Sequence, residues 1–291
     1  MIRARLLALA APLLLLGCRL GQPDMAPRPH YVVGAPYQAG GVWYYPREDF
    51  QFDATGLAAV LPDRTGLTAD GEAFDGAAVA AAHPGLQLPS VALVTDLETG
   101  LQAVVRVNDR GPVDPARLIG LTRGAAERLG VASSGVARVR VRVLSGPSQA
   151  LRDQLGGDDG HTTPAPLTKV TSVSLAPPQG VEQSAHVRAA SAAALDEAAR
   201  PAAAFTLQDA AERVAPAPGQ LWIRAGEFSL ARYADEVRAK LGGSVAVEAS
   251  RQGRSETFRV RAGPYPDVAA ADMALDQARR AGVTDAHIVV E

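Results

Sequence analysis

Residues 101–112 read Leu-Gln-Ala-Val-Val-Arg-Val-Asn-Asp-Arg-Gly-Pro, a β-rich run over Gln102 to Asn108 that meets a Gly-Pro turn with a carboxylate, Asp109, at the junction. A second segment, Thr68-Ala69-Asp70-Gly71-Glu72-Ala73-Phe74-Asp75, has a similar construction. Its turn dipeptide Asp70-Gly71 leaves Glu72 and Asp75 at the mouth of a strand and out of the core. Around these two segments, Val91 to Thr95 and Ala137 to Leu144 are further short β-rich runs separated by Gly, Pro and Asp turns. One helical stretch, Arg123 to Leu129, is opened by Thr122 and closed by Gly130. The pattern predicts a small β-barrel with one or two helices over residues 53–145. Turn carboxylates are commonly structural, and Arg106 and Arg110 flank Asp109, so a salt-bridged aspartate that supports the loop stands beside a reacting acid.

Past the barrel, residues 146–218 turn to Pro, Ala, Ser, Gln and Gly with few aromatics to form a core, which predicts a linker. The last block, 219–291, predicts β-α-β-β-α-β: Leu221 to Ala225, Leu230 to Leu241, Val245 to Ser250, Glu256 to Ala262, Asp267 to Ala281, and Ala286 to Val290. Two helices cover one face of such a sheet and leave the other open. Alternation then sends Leu221, Ile223, Ala225, Phe258, Val260 and Ala262 inward, and Trp222, Arg224, Thr257, Arg259 and Arg261 to the open face. An aromatic among guanidinium groups suits a polar ring-shaped ligand; an ordinary solvated face is the alternative.

Before the barrel, Arg3 and Arg5 precede the apolar run Leu6 to Leu16, about the length of a signal-peptide core and too short to span a bilayer. The run ends in Leu15-Leu16-Gly17-Cys18, which resembles a bacterial lipobox, so residues 1–17 are expected to be a lipoprotein signal and Cys18 the acylated N-terminus. Residues 18–52 then read as a tether that becomes an ordered arm. Arg19 after the cysteine points, by the same resemblance, to the outer membrane. The whole chain has 291 residues, a formal charge of −2, 47% hydrophobic and 21% charged residues and one cysteine. Those values exclude a disordered chain, a collagen-like repeat and a disulfide scaffold, and they remove the basic footprint of a nucleic-acid binder. Clustered His/Cys ligands and a phosphate-cradling Gly loop are both missing, so no cofactor and no metal are expected.

The series TADGEAFD, AAAHPGLQLPS, VVRVNDRGP and RLIGLTRGAAERLGV, in that order and spacing, resembles the rare lipoprotein A family. The paired stretches Trp222-Ile223-Arg224-Ala225-Gly226-Glu227-Phe228 and Phe258-Arg259-Val260-Arg261-Ala262-Gly263-Pro264-Tyr265 look like the two half-repeats of a SPOR domain. The resemblance implies a multidomain chain: a double-psi β-barrel, a disordered linker and an α+β, ferredoxin-like SPOR domain that binds glycan strands stripped of their stem peptides. It implies an endolytic lytic transglycosylase at the division septum on the periplasmic side of the outer membrane, with denuded peptidoglycan strands and divisome proteins as partners. By the same resemblance, Asp109 and Glu72 are the catalytic acids, whose roles could be exchanged, and Asp75 and His83 support them. Trp222, Arg224, Arg259 and Arg261 bind glycan. His83 after an alanine run reads equally as a core histidine. Two departures stand out: Ala58-Ala59-Val60-Leu61 replaces the family's aromatic Ser-Trp-Tyr-Gly segment, and Gly120 stands where an aspartate is usual. They keep a second expectation open, a wall-binding lipoprotein without catalysis.

Overall fold

The computed structural model of the chain describes residues 26–132, 135–156, 212–252 and 255–291. Cys18, the apolar run before it, and residues 157–211 of the expected linker lie outside the described residues.

The N-terminal arm forms a hairpin of β1 (Tyr37–Ala39) and β2 (Val42–Tyr44). The barrel follows as β3 (Asp53–Val60), β4 (Ala80–Ala82), β5 (Ser90–Asp96), β6 (Leu101–Asp109), β7 (Ile119–Leu121), helix α1 (Arg123–Leu129) and β8 (Val136–Val143). Neighbouring strands run β4-β7-β3-β8-β5-β6, and β6 pairs back onto β4, so six strands close on themselves. The pairs β3–β7 and β4–β6 are parallel and the other four antiparallel. Strand β8 shows how the sequence dictates the wall. Its period of two puts Ala137, Val139, Val141 and Val143 inside and leaves Arg140 and Arg142 exposed. Val94, Val105, Val107, Ile119 and Leu121 fill the interior together with Ala125, Ala126 and Leu129 of α1. The hydroxyl of Thr122 accepts from the Ala125 N–H to start that helix, and Gly130, left-handed at φ 71°, ends it.

Residues 146–155 are not linker. Helix α2 (Ser145–Leu155) packs on the barrel, with the buried Ser148 hydroxyl accepting from the Val91 N–H at 3.0 Å and donating to its carbonyl at 3.2 Å. Gly146, Pro147 and the lack of a capping side chain hide this helix from sequence reasoning, although proline is tolerated in a first turn. Residues 212–218 also lie on the barrel: β9 (Glu212–Arg213) pairs with β6, and the N–H groups of Val214 and Ala217 donate to the carbonyls of Gly100 and Leu97.

The C-terminal domain has the predicted element order: β10 (Leu221–Phe228), α3 (Ala231–Leu241), β11 (Val245–Gln252), β12 (Ser255–Tyr265), α4 (Val268–Arg280) and β13 (His287–Val290). Its antiparallel sheet runs β11-β12-β10-β13. Leu221, Ile223, Ala225, Val260 and Ala262 meet Ala271, Leu275 and Ala278 of α4, as alternation predicts, with Phe258 at the margin. Leu57 and Leu97 of the barrel belong to this same cluster. Arg117 donates to both carboxylate oxygens of Asp272 at 2.7 and 2.9 Å, Arg279 donates to the Pro115 carbonyl at 3.0 Å, and the Val290 N–H donates to the Thr55 hydroxyl at 3.2 Å. The domain is therefore docked on the barrel.

Candidate active site

The β4–β6 ladder slips by one residue: Ala80 faces Arg106, Ala81 faces Val107, and Ala82 faces Asp109. A bulge of this kind re-aims a side chain at the end of a strand. Arg106 and Asn108, two apart, point to the same side. The extra residue then lets Asp109 turn to the same 64–75 loop that carries Glu72.

Glu72 is held from both ends. Oε1 accepts from Arg106 at 2.7 Å (Nε) and 2.5 Å (Nη2), and Oε2 accepts from the Asn108 amide at 2.7 Å. Its own N–H donates to the Thr68 hydroxyl at 3.0 Å and to Asp70 Oδ1 at 3.2 Å. Asp70 lies fully buried beneath, where burial raises its pKa above the ordinary carboxylate value, Glu72 adds to the rise, and the Thr68 hydroxyl bond at 2.6 Å opposes it. The arm seals the turn from outside. Arg28 N–H donates to the Gly71 carbonyl and His30 N–H to the Asp70 carbonyl, each at 2.9 Å. Gly71 sits at φ 83°, and a Cβ there would come within 2.4 Å of the Arg28 carbonyl, so only glycine fits.

Asp109 is anchored differently. Its Oδ1 accepts two main-chain N–H groups, Ala69 at 3.0 Å and Arg110 at 2.8 Å, while Oδ2 pairs with the Arg64 guanidinium. Neither flanking arginine takes its carboxylate. Arg106 belongs to Glu72, and Arg110 turns inward to donate to the carbonyls of His83, Leu86 and Val33. Arg64, in the Asp63-Arg64-Thr65-Gly66 loop, escaped sequence reasoning because no periodicity marks the loop; a basic residue four before Thr68 was the sole signal. Thr68, Glu72, Phe74, Asp75, Arg106 and Asn108 line a cleft of ≈ 160 Å³.

The remaining predicted residues divide. Asp75 is on the cleft wall, exposed, with Oδ1 accepting from the Ala77 N–H at 2.8 Å. His83 is not brought to the others. Only its backbone N–H meets Asp109, at the carbonyl, while its ring is buried edge-on against Phe52 with centroids 5.0 Å apart. Nδ1 accepts the N–H groups of Gly85 and Leu86 at 3.1 Å each, which puts the ring proton on Nε2. Burial, with the cations Arg110 and Arg47 nearby, depresses its pKa to about 3. It is a neutral staple of the 83–86 loop.

Residues 44–141 match the family described as lytic transglycolase, and residues 217–289 match the SPOR domain. The chain is 33% identical over 267 residues to the endolytic peptidoglycan transglycosylase RlpA of Pseudomonas aeruginosa PAO1, covering 83% of this chain and 73% of that protein. It belongs to the RlpA family. The Escherichia coli K12 RlpA is 42% identical over 123 residues, 39% of this chain and 34% of that one. A crystal structure of the RlpA SPOR domain from P. aeruginosa matches with 23% identity and a TM-score of 0.23, over 24% of this chain and 99% of that one. Gly120 and Leu61, each in a segment singled out in the sequence, meet in space: a Cβ on buried Gly120 would lie 2.5 Å from the Leu61 side chain, which fills the room a larger residue would need.

On the open face of the SPOR sheet, Arg224 and Arg261 share the carboxylate of Glu291 at 2.6 and 2.9 Å, Arg261 also pairs with Glu248, and its guanidinium lies 4.4 Å from the Trp222 ring centroid. Arg259 pairs with Glu227 at 3.5 Å. The four predicted residues share one face, each cation already opposed by an acid.

Proposed function

We propose that this chain cleaves the bond between N-acetylmuramic acid and N-acetylglucosamine in denuded peptidoglycan strands, leaving 1,6-anhydro ends. The observation that carries this is the bulge at Asn108, which turns Asp109, at the end of β6, to the 64–75 loop that carries Glu72, the two acids being held by different restraints. In a lytic transglycosylase the C6 hydroxyl of the sugar is the nucleophile, so one carboxyl protonates the leaving oxygen and then takes the hydroxyl proton. Asp109 suits that part, because only its Oδ2 has an exchangeable partner. Glu72, with both oxygens on fixed donors, suits the stabilisation of oxocarbenium-like charge. Cys18 anchors the chain in the outer membrane by its acyl groups, each buried CH₂ contributing about 0.8 kcal/mol. The SPOR face concentrates the chain at the septum.

Incubating the chain from Arg19 onward with denuded strands should give anhydromuramic ends detectable by mass spectrometry, and Glu72→Gln should reduce them. Strand binding without anhydro ends at any pH replaces this function with a wall-tethering one. The Arg64 pair on Asp109 is the observation that favours tethering.

A further inference from the structure

Arg64 is placed in a way that an ordinary loop arginine is not. Its Nη1 donates to the Leu67 carbonyl at 3.1 Å and its guanidinium lies 4.5 Å from the Phe74 ring centroid, so two contacts orient it without Asp109. The side chain is 39% exposed, against 14% for Asp109. The other two arginines of the site are spent. Arg106 is committed to Glu72, and Arg110 to three main-chain carbonyls. Of the three, Arg64 is the exposed one, and its Nη2 is held by a single carboxylate oxygen. Asp109, meanwhile, keeps its place by two main-chain N–H bonds if its cation leaves.

A guanidinium fork matches a carboxylate in geometry as well as charge. An N-acetylmuramic acid residue without its stem peptide carries a free lactyl carboxylate; with the peptide attached that group is a neutral amide. We propose that Arg64 reads the lactyl carboxylate of a denuded muramic acid, which replaces Asp109 on the guanidinium and leaves Asp109 Oδ2 without a cation. No covalent bond changes. One ion pair is exchanged for another of the same kind, so the exchange costs little when the ligand is an acid. An amide offers no anion and leaves the original pair intact. The inference rests on the transglycosylase reading of the cleft and gives the Arg64–Asp109 pair, which otherwise favours inactivity, a role in substrate choice.

The test compares denuded strands with the same strands whose lactyl carboxyls have been converted to methylamides, using the full chain, Arg64→Ala and Arg64→Lys. Loss of a charge-assisted contact predicts that wild type cleaves the acid form about 10- to 100-fold better in kcat/KM. The ratio should fall toward one in Arg64→Ala and lie between in Arg64→Lys, which keeps the charge without the fork. Equal cleavage of both forms by wild type, or an unchanged ratio in Arg64→Ala, overturns the assignment. If no chain cleaves either substrate, the enzymatic reading fails by itself, and equilibrium binding decides on Arg64. The SPOR domain is common to all three chains, so a lower acid-over-amide binding ratio in Arg64→Ala supports the assignment, and an identical ratio overturns it.

Discussion

The barrel cleft and the open SPOR sheet are both built of guanidinium groups facing carboxylates, yet the two are held by different means. In the barrel, main-chain N–H groups fix Asp109 independently of its arginine, while the side chains of Arg106 and Asn108 hold Glu72 in the cleft. On the sheet, the Glu291 carboxylate accepts from the side chains of Arg224 and Arg261, and Arg261 is shared with Glu248. Main-chain donors place Asp109 more rigidly than side chains alone would. The ion pairs of the sheet face are made by side chains.

Asp109→Asn is the strongest way to break the comparison, since it keeps the shape of the anchored group and removes its proton chemistry. Anhydro-end formation should drop by roughly 10² to 10⁴-fold, with strand binding by the SPOR face retained, as cosedimentation with denuded sacculi would show. A comparable loss of binding would mean that the cleft also does the gripping.

The His83 staple of the 83–86 loop should respond to acid. His83 is neutral in the fold with its pKa depressed from 6.5 to about 3, so the unfolded chain takes up its proton first. Its contribution to stability is complete above pH 6.5 and fades as the pH falls toward 3, with a slope of at most about 1.4 kcal/mol per pH unit. Denaturant melts of wild type and His83→Gln across that window should converge at low pH. Parallel curves would show that the ring carries no such linkage.

Arg117→Ala removes the bidentate contact to Asp272 between the two regions and should cost about 1–2 kcal/mol, read as a lower midpoint in thermal unfolding with transglycosylase activity unchanged. A smaller effect belongs to the sheet. Burial alone would raise the pKa of Glu291, but hydrogen bonds from Arg224 and Arg261 outweigh it and the net shift is down from 4.5. Its contribution is present above that pH and is lost as the pH falls through its lower folded value. Glu291→Gln should remove this acid sensitivity and should tighten strand binding by freeing Arg224, while Arg261 keeps Glu248. Unchanged affinity would show that Arg224 does not touch the ligand.

Elements whose signal is local were legible in the chain itself. Thr122 and Gly130 bracket α1, period-two alternation sorts β8 and β10, and the Gly-Pro turn places Asp109 at a strand end, whereas Glu72, expected at the mouth of a strand, lies within the 64–75 loop. Elements that exist because of distant partners were not. Strands β4 and β7 have three residues each and acquire meaning only on closing the barrel. Helix α2 is fixed by Ser148 on Val91, 57 positions away. The Arg64–Asp109 pair spans 45 positions, and no spacing rule joins a loop arginine to a strand-end acid. The contact of Leu61 with Gly120 is of the same kind, a steric fact between residues 59 positions apart.

Strand β9 brings the chain back to β6 before the SPOR domain begins, and Leu57 and Leu97 are then covered by that domain's core. Covalent continuity through 157–211 is therefore not what keeps the halves together. A protease nick anywhere in that stretch should leave one particle on a sizing column, and fragments 19–156 and 212–291 made separately should find each other. The barrel made alone should be sticky at the surface that Leu57 and Leu97 line. Either of the first two outcomes would mark the docked contacts around Leu57, Leu97 and Arg117 as sufficient to hold the two pieces.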